Sequence, residues 1–357
     1  MVGATVVFGF SLFLGIVTMI GNGCIMILFL RHKSIRVTRN YIIFSLALAD
    51  FLIGLFAMPL AANQNHISYW NFSVSLCYFH VIIDTLATLV SIFTVTLTAL
   101  LDIGLVFGKG IRNVYSCRNV SIVIALSWLA PGLTILLPIA INPSQMGLFI
   151  KEEVRTHSLF FGSVQINSTT FHCLPDFPKV LFASLVVFYY IFGLSLTVAA
   201  YAAIFIKIRL RKRFVLRIGS RAVNALSPHP PFNNLVHPKV TKIPTDTPTL
   251  TVKQTVRANA LTKWKRNEGL LRMMFAIGTL AFVCYLPGSI VFLLEALADK
   301  GIALWAFKLG IWLSYAKSAI NPILYGFLNH KFKKYICKCF GTRVENATTT
   351  IGSILEE

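Results

Sequence analysis

CYFHVIIDTLATLVSIFTVTLTALLD, residues 77–102, is an apolar run about one bilayer thick with a carboxylate near each end. An α-helix rises about 1.5 Å per residue, so ~20 apolar residues cross a hydrocarbon core. Asp84 then lies roughly two turns in from Cys77, inside the slab. A charge at that depth is costly and is expected to face a cavity or a partner rather than lipid. Asp84 is therefore the first candidate functional residue.

Outward from this run the composition stays membrane-like. The 357 residues are 56% hydrophobic and 13% charged, with a mean hydropathy of +0.71. Soluble proteins carry roughly 25% charged residues. The net charge of +20 raises the question of nucleic acid, and its distribution answers it. Of 33 Lys and Arg, 27 fall in 31–40, 108–119, 207–272 and the tail after Leu328. The alternating segments hold only Lys151, Arg155, Lys179 and Lys300, and Lys308 and Lys317 fall within the last apolar run. This asymmetry is the positive-inside pattern of a membrane protein and needs no nucleic acid.

Seven apolar segments follow one another: Val6–Leu30, Tyr41–Ala62, Val74–Leu101, Val120–Ile141, Val180–Ile206, Met273–Leu294 and Ile302–Leu328. Each is long enough to span as a helix, and open strands cannot cross lipid, so the expected fold is an all-α membrane bundle of seven helices. Basic inner loops put the N-terminus outside and the C-terminus inside. Val6–Leu30 is too long for a signal-peptide core and ends in a basic cluster, so no cleavable signal is expected. The expected organisation is a short outer N-terminus (1–5), the seven-span domain (6–328) and a cytoplasmic eighth helix and tail (329–357). Within it, 209–262 reads as a mostly disordered third inner loop, because SPHPPFNNLVHPKVTKIPTDTP is proline-rich and aperiodic.

Outer sequons at Asn71 and Asn167 are glycosylation candidates. Two more, at Asn119 and Asn346, fall on the inner side and read as chance. The tail stretch HKFKKYICKCF is basic and amphipathic, and its juxtamembrane Cys337 and Cys339 are palmitoylation candidates contacting membrane lipids.

One motif per span then appears in order: Gly21-Asn22; LALAD ending at Asp50; Cys77, with Cys173 in the second outer loop; Trp128 and Pro138; Tyr201; Cys284-Tyr285-Leu286-Pro287; and Asn321-Pro322-Ile323-Leu324-Tyr325, followed by Phe332. The set resembles the rhodopsin-like (class A) G-protein-coupled receptors, and the resemblance covers nearly the whole chain. It implies a Cys77–Cys173 disulfide on the oxidising face, tying the second outer loop over the bundle. Pro287 and Pro322 each remove a helical hydrogen bond and allow a kink or hinge.

Within that family the chain is nearest in look to the biogenic-amine receptors. There an aspartate seven residues after the outer cysteine binds the ligand's ammonium, and Asp84 stands seven after Cys77. Trp312 and Tyr315 hold the places of the tryptophan and tyrosine that close that site. Tyr285, Ser289 and Tyr189 complete the expected ligand-binding set. A buried carboxylate seeks a cationic partner, and aromatic faces attract the same cation. The bland alternative is internal pairing of Asp84, for instance with His80 one turn above.

The departures matter as much. Gly288 and Ser289 stand where amine receptors have two aromatics, which predicts a roomier site near Pro287. Leu185, Val186 and Tyr189 stand where catechol-binding receptors have hydroxyl groups, and Gly193 replaces the usual fifth-span proline. Where the family has Asp-Arg-Tyr, this chain has Leu101-Asp102-Ile103-Gly104, and ungapped counting from Cys77 puts Asp102 in the arginine's slot. Asp102 is expected to pair with the basic inner loops, or with Arg266 or Arg272, which alters inactive-state locking. Asp50, Ser91, Ser318 and Asn321 match the family's sodium cluster, yet Lys317 stands where an asparagine is usual, and a Lys317–Asp50 pair would satisfy both groups. Asn22, Pro322, Tyr325 and Tyr201 belong to the same expected activation region.

The expectation is a plasma-membrane receptor for an extracellular ligand, a small amine, acting through a heterotrimeric G protein, with no cofactor and no bound metal. A binding-only or atypically coupled receptor for another ligand is the alternative. A transporter predicts repeat-related halves, which are not seen. An enzyme finds no HExxH, GxSxG or phosphate-loop motif.

Overall fold

The third span runs as one helix, Val74–Val106, and it touches the second, fourth, fifth and sixth spans. The computed structural model describes residues 2–67, 69–106, 111–141, 148–149, 173–175, 183–225, 248–297 and 304–339. Six described helices are long and apolar enough to cross a bilayer: Thr5–Arg31, Asn40–Ile67, Val74–Gly104, Cys117–Leu137, Ala183–Lys207 and Leu271–Leu294. Helix Leu304–Leu328, which carries Lys308 and Lys317, packs on the first and sixth and completes the seven. Helix His330–Cys339 follows it.

The distribution of side chains is that of a body solvated by lipid. Phe10, Phe13, Leu129, Leu133, Val283 and Phe327 are all more than 60% exposed or close to it. Asn22, Asp50, Ser91, Thr94, Lys317, Ser318 and Asn321 are completely buried. Apolar groups gain nothing by hiding from hydrocarbon, whereas an unpaired polar group in it is costly, so the polar residues turn inward.

Those inward groups join the helices. Asn22 Nδ2 donates to the Ser318 carbonyl at 3.0 Å, tying the first span to the seventh. Trp128 Nε1 donates to Ser45 Oγ at 2.9 Å, tying the fourth to the second. Thr96 Oγ1 donates to the Gly193 carbonyl at 3.1 Å, tying the third to the fifth. The eighth helix is held beneath the first by Tyr335, stacked on His32 at 3.9 Å and hydrogen-bonded to Ser34 at 2.6 Å. Phe332, fully buried, anchors it to the inner core cluster.

Several boundaries differ from the expectation. Helix begins at Val2, inside the stretch expected as a short outer terminus. The fifth helix continues to Ala225 and the sixth begins at Pro248, so helix takes up much of the 209–262 loop expected to be disordered. The Leu, Arg and Lys of KIRLRKRFVLR are good helix formers and extend a turn already nucleated in the membrane. Only 226–247 of that loop lies outside the described residues. An antiparallel two-residue pair, Leu148–Phe149 with Leu174–Pro175, adds a small ladder on the outer side of an otherwise helical fold.

Two spans are not uniformly α-helical. The second contains a π-helical segment, Ile53–Ala57, and the fifth another, Val186–Gly193. A π turn takes an extra residue, so side-chain register on one side slips relative to an α-helical count.

Candidate ligand site and its polar seam

A helical period places His80, Asp84, Ser91, Thr98 and Asp102 along one stripe of the third span. Three groups of residues from other helices meet this stripe, at the outer end, the middle and the inner end.

At the outer end, Cys77 and Cys173 form a disulfide with Cα atoms 5.5 Å apart. Gln64 Nε2 donates to the Cys173 carbonyl at 3.2 Å, so the second span also holds the outer loop. Asp84 Oδ2 accepts from the Tyr315 hydroxyl at 3.1 Å, and Trp312 meets the Tyr315 ring edge-on at 5.2 Å. Asp84 Oδ1 is buried and has no hydrogen-bond partner among the described residues. His80 does not take it up: its ring stacks on Trp70 at 5.6 Å, and its own Nδ1 is buried without a partner among the described residues. The carboxylate is thus positioned by one neutral donor and keeps an oxygen open.

The fifth span supplies a different tyrosine from the one expected. Tyr189 turns to the fourth span, with its hydroxyl 3.0 Å from Thr134 Oγ1. Tyr190 lies edge-on to Tyr285 at 5.7 Å and to Phe292 at 6.5 Å, within electrostatic reach of Asp84. The π segment explains the slip, because counting back from Tyr201 with an α-helical period lands one residue off. Ser289 is also withdrawn: it is fully buried and its hydroxyl donates to the Leu286 carbonyl at 2.8 Å. Nor is the bundle wider near Pro287. Gly288 faces Gly310 so closely that a Cβ on Gly310 would lie 2.7 Å from the Gly288 Cα. The small residues bring the sixth and seventh spans together there, rather than opening space.

In the middle, Lys317 reaches Asp50 with Nζ 3.1 Å from Oδ1 and also bonds Ser91. Ser318 Oγ donates to Asp50 Oδ1 at 2.7 Å, and Asn321 Nδ2 to Oδ2 at 2.6 Å. The ammonium lies 5.9 Å from the Tyr285 ring centroid. Tyr285, itself buried, therefore stands between the outer group and this ion pair.

At the inner end Asp102 is completely buried. It accepts from the hydroxyl of Tyr115 and from that of Tyr201, the latter at 3.3 Å, and Arg39 Nη2 lies 3.7 Å away. The Arg39 guanidinium also sits 4.6 Å from the Tyr115 ring centroid. Burial raises the Tyr115 phenol well above its usual pKa, so it stays protonated and donating. A partner from the first inner loop was within the expectation; neither Arg39 nor Tyr115 was singled out. Between the middle and inner groups lies a small cavity bounded by Thr94, Thr98, Ile277, Tyr201 and Tyr325. The buried Tyr325 hydroxyl has no partner among the described residues.

Asn71 is exposed at the end of the bundle that carries the disulfide and accepts from Asn63 at 2.7 Å. Asn167 lies outside the described residues. Cys337 and Cys339 fall in the last turn and a half of the eighth helix.

Seven helices surround an inward polar seam, with the Asp84 carboxylate toward the end of the bundle that carries the Cys77–Cys173 disulfide. The family profile "7 transmembrane receptor (rhodopsin family)" matches residues 21–325, and the chain belongs to that family. It is a multi-pass membrane receptor that responds to a ligand and acts on a G protein, and it is not an enzyme. Among curated relatives it is 26% identical to neuropeptide FF receptor 2 of Rattus norvegicus, over 88% of this chain and 67% of the relative. It is 24% identical to trace amine-associated receptor 6 of Rattus norvegicus, over 98% of this chain and 89% of the relative. It is 23% identical to 5-hydroxytryptamine receptor 4 of Cavia porcellus, over 89% and 75%.

Proposed function

We propose that this receptor, with its N-terminus outside the plasma membrane, takes a cationic amine at Asp84. The observation that carries this is the open, buried Asp84 Oδ1 beside a Tyr315-bound Oδ2. A lone carboxylate oxygen without a donor is costly, and an ammonium supplies both charge and hydrogen bonds. Tyr190, Trp312 and Tyr285 add aromatic faces that favour the same cation. The relatives are named for a neuropeptide as well as for amines, and a peptide would present the same chemistry through a basic side chain or its terminal amine. A screen of amines and short basic peptides on cells expressing wild type and Asp84→Ala tests the reading. Every active compound should lose its effect in the variant; full retention removes Asp84 from the site.

Asp102 favours a second reading, of the coupling rather than the ligand. The place where the family's arginine meets the G protein holds a carboxylate already engaged by Tyr115, Tyr201 and Arg39. Coupling is then atypical, with basal nucleotide exchange set by this cluster. Ordinary agonist-driven exchange that Asp102→Ala leaves untouched would overturn it.

A further inference from the structure

Tyr115 comes to Asp102 from a turn between a one-turn helix, Ile111–Val114, and the fourth span, whose helix begins at Cys117. It is 5% exposed and belongs to a buried cluster with Ile42, Val114, Val120 and Val123. The path of the turn is what aims its hydroxyl, and one side chain closes that path. Asn119 Nδ2 donates to the carbonyls of Asn113 and Val114, each at 3.0 Å. These carbonyls end the short helix and so have no acceptor role within it. The backbone N–H of Asn119 donates in turn to Ser116 Oγ at 3.3 Å, in the manner of an N-cap for the fourth span. The residues before and after Tyr115 are thus both bonded to Asn119. The same turn sets the Tyr115 ring 4.6 Å from the Arg39 guanidinium.

An asparagine suits this place and its acid does not. The carboxamide has two donor hydrogens, one for each carbonyl; a carboxylate has none and would set its charge against both oxygens. The fourth span itself does not need the amide, since an aspartate in the first turn of a helix is favourable. We propose that Asn119 is a positioning residue for coupling to the G protein. It holds the turn that keeps the Tyr115 hydroxyl on Asp102, and so keeps the inner end of the third span closed in the absence of ligand. The asparagine of what reads in the sequence as a chance sequon has this use.

This rests on the reading of Asp102 as the group that sets basal nucleotide exchange, and the test separates the two. Purified receptor in lipid vesicles is mixed, without ligand, with each of a panel of heterotrimeric G proteins. Guanine-nucleotide exchange is measured for wild type, Asp102→Ala, Tyr115→Phe, Asn119→Asp and the variant combining Asn119→Asp with Tyr115→Phe. Phenylalanine keeps a ring beside Arg39 and removes only the hydroxyl. Tyr115→Phe should raise basal exchange about tenfold, the worth of one hydrogen bond to a charged group. Asn119→Asp should raise it by up to about the same factor alone, and by a factor of about one when Tyr115→Phe is present, because an effect exerted through the hydroxyl vanishes with it. Asn119→Ala removes the donors without adding charge and gives the same comparison if the aspartate variant does not fold. Equal factors in the two backgrounds overturn the role of Asn119 and leave the Asp102 reading standing. So does a rise in Asp102→Ala with none in Tyr115→Phe or none in the Asn119 variants. Unchanged exchange in Asp102→Ala overturns that reading, and the role of Asn119 with it.

Discussion

The two carboxylates of the third span stand at opposite ends of one helix and have opposite fates. Asp102 receives bonds from Tyr115 and Tyr201 and an ion pair from Arg39, so its charge is spent within the fold. Among the described residues, Asp84 receives one bond, from Tyr315, and Oδ1 has no partner. A satisfied buried charge fixes an arrangement; an incompletely satisfied one waits for a partner. The inner half of the helix is built as a lock and the outer half as a receiver, with the Asp50–Lys317 pair between them.

The largest effect is expected at that divide. Lys317→Met leaves Asp50 buried without its cation and should cost about 3–5 kcal/mol of stability, with most of it restored by adding Asp50→Asn. Thermal unfolding of purified receptor reads both variants; a fully stable single variant would break the view of the middle as a satisfied pair. Next, Asp84→Ala should lower affinity for an amine ligand by on the order of 100-fold while leaving unfolding nearly unchanged. Asp102→Ala should do the reverse. It should cost about 1–3 kcal/mol of stability and raise basal nucleotide exchange, with ligand affinity preserved. If the two variants gave the same pattern, the contrast between the halves would collapse. Gly310→Ala should cost about 1–3 kcal/mol, because the new methyl meets the Gly288 backbone. The smallest effect is a null one: sodium should leave wild-type ligand affinity unchanged, since Lys317 occupies the Asp50 cluster, and Lys317→Asn should introduce a dependence.

What the sequence made legible follows from how strongly each feature is constrained. Seven apolar runs and a basic inner side leave little freedom in a bilayer, so the helical bundle could be read directly. The Asp50–Lys317 contact was legible for the same reason, because two buried opposite charges have few other ways to be satisfied. Tyr190 was missed in favour of Tyr189 because a π segment changes the register, and no sequence period announces where it starts. Ser289 was misjudged because a buried hydroxyl in a helix finds the carbonyl a turn back as readily as a ligand. Gly288 suggested space by its size alone; that Gly310 lies opposite is a fact about two distant segments meeting. The partners of Asp102 stayed hidden because Arg39 and Tyr115 come from connections between spans, whose paths no periodicity fixes.

Lys317 has a further consequence, for the making of the protein rather than its use. A lysine near the centre of a helix entering lipid alone costs about 2.5–3.5 kcal/mol on an insertion scale. The second span, with Asp50, is synthesised well before the seventh. The seventh span thus leaves the insertion machinery most readily when it can dock on a carboxylate already in place. For the nascent chain the pair acts as an address, telling the last span where in the bundle to settle.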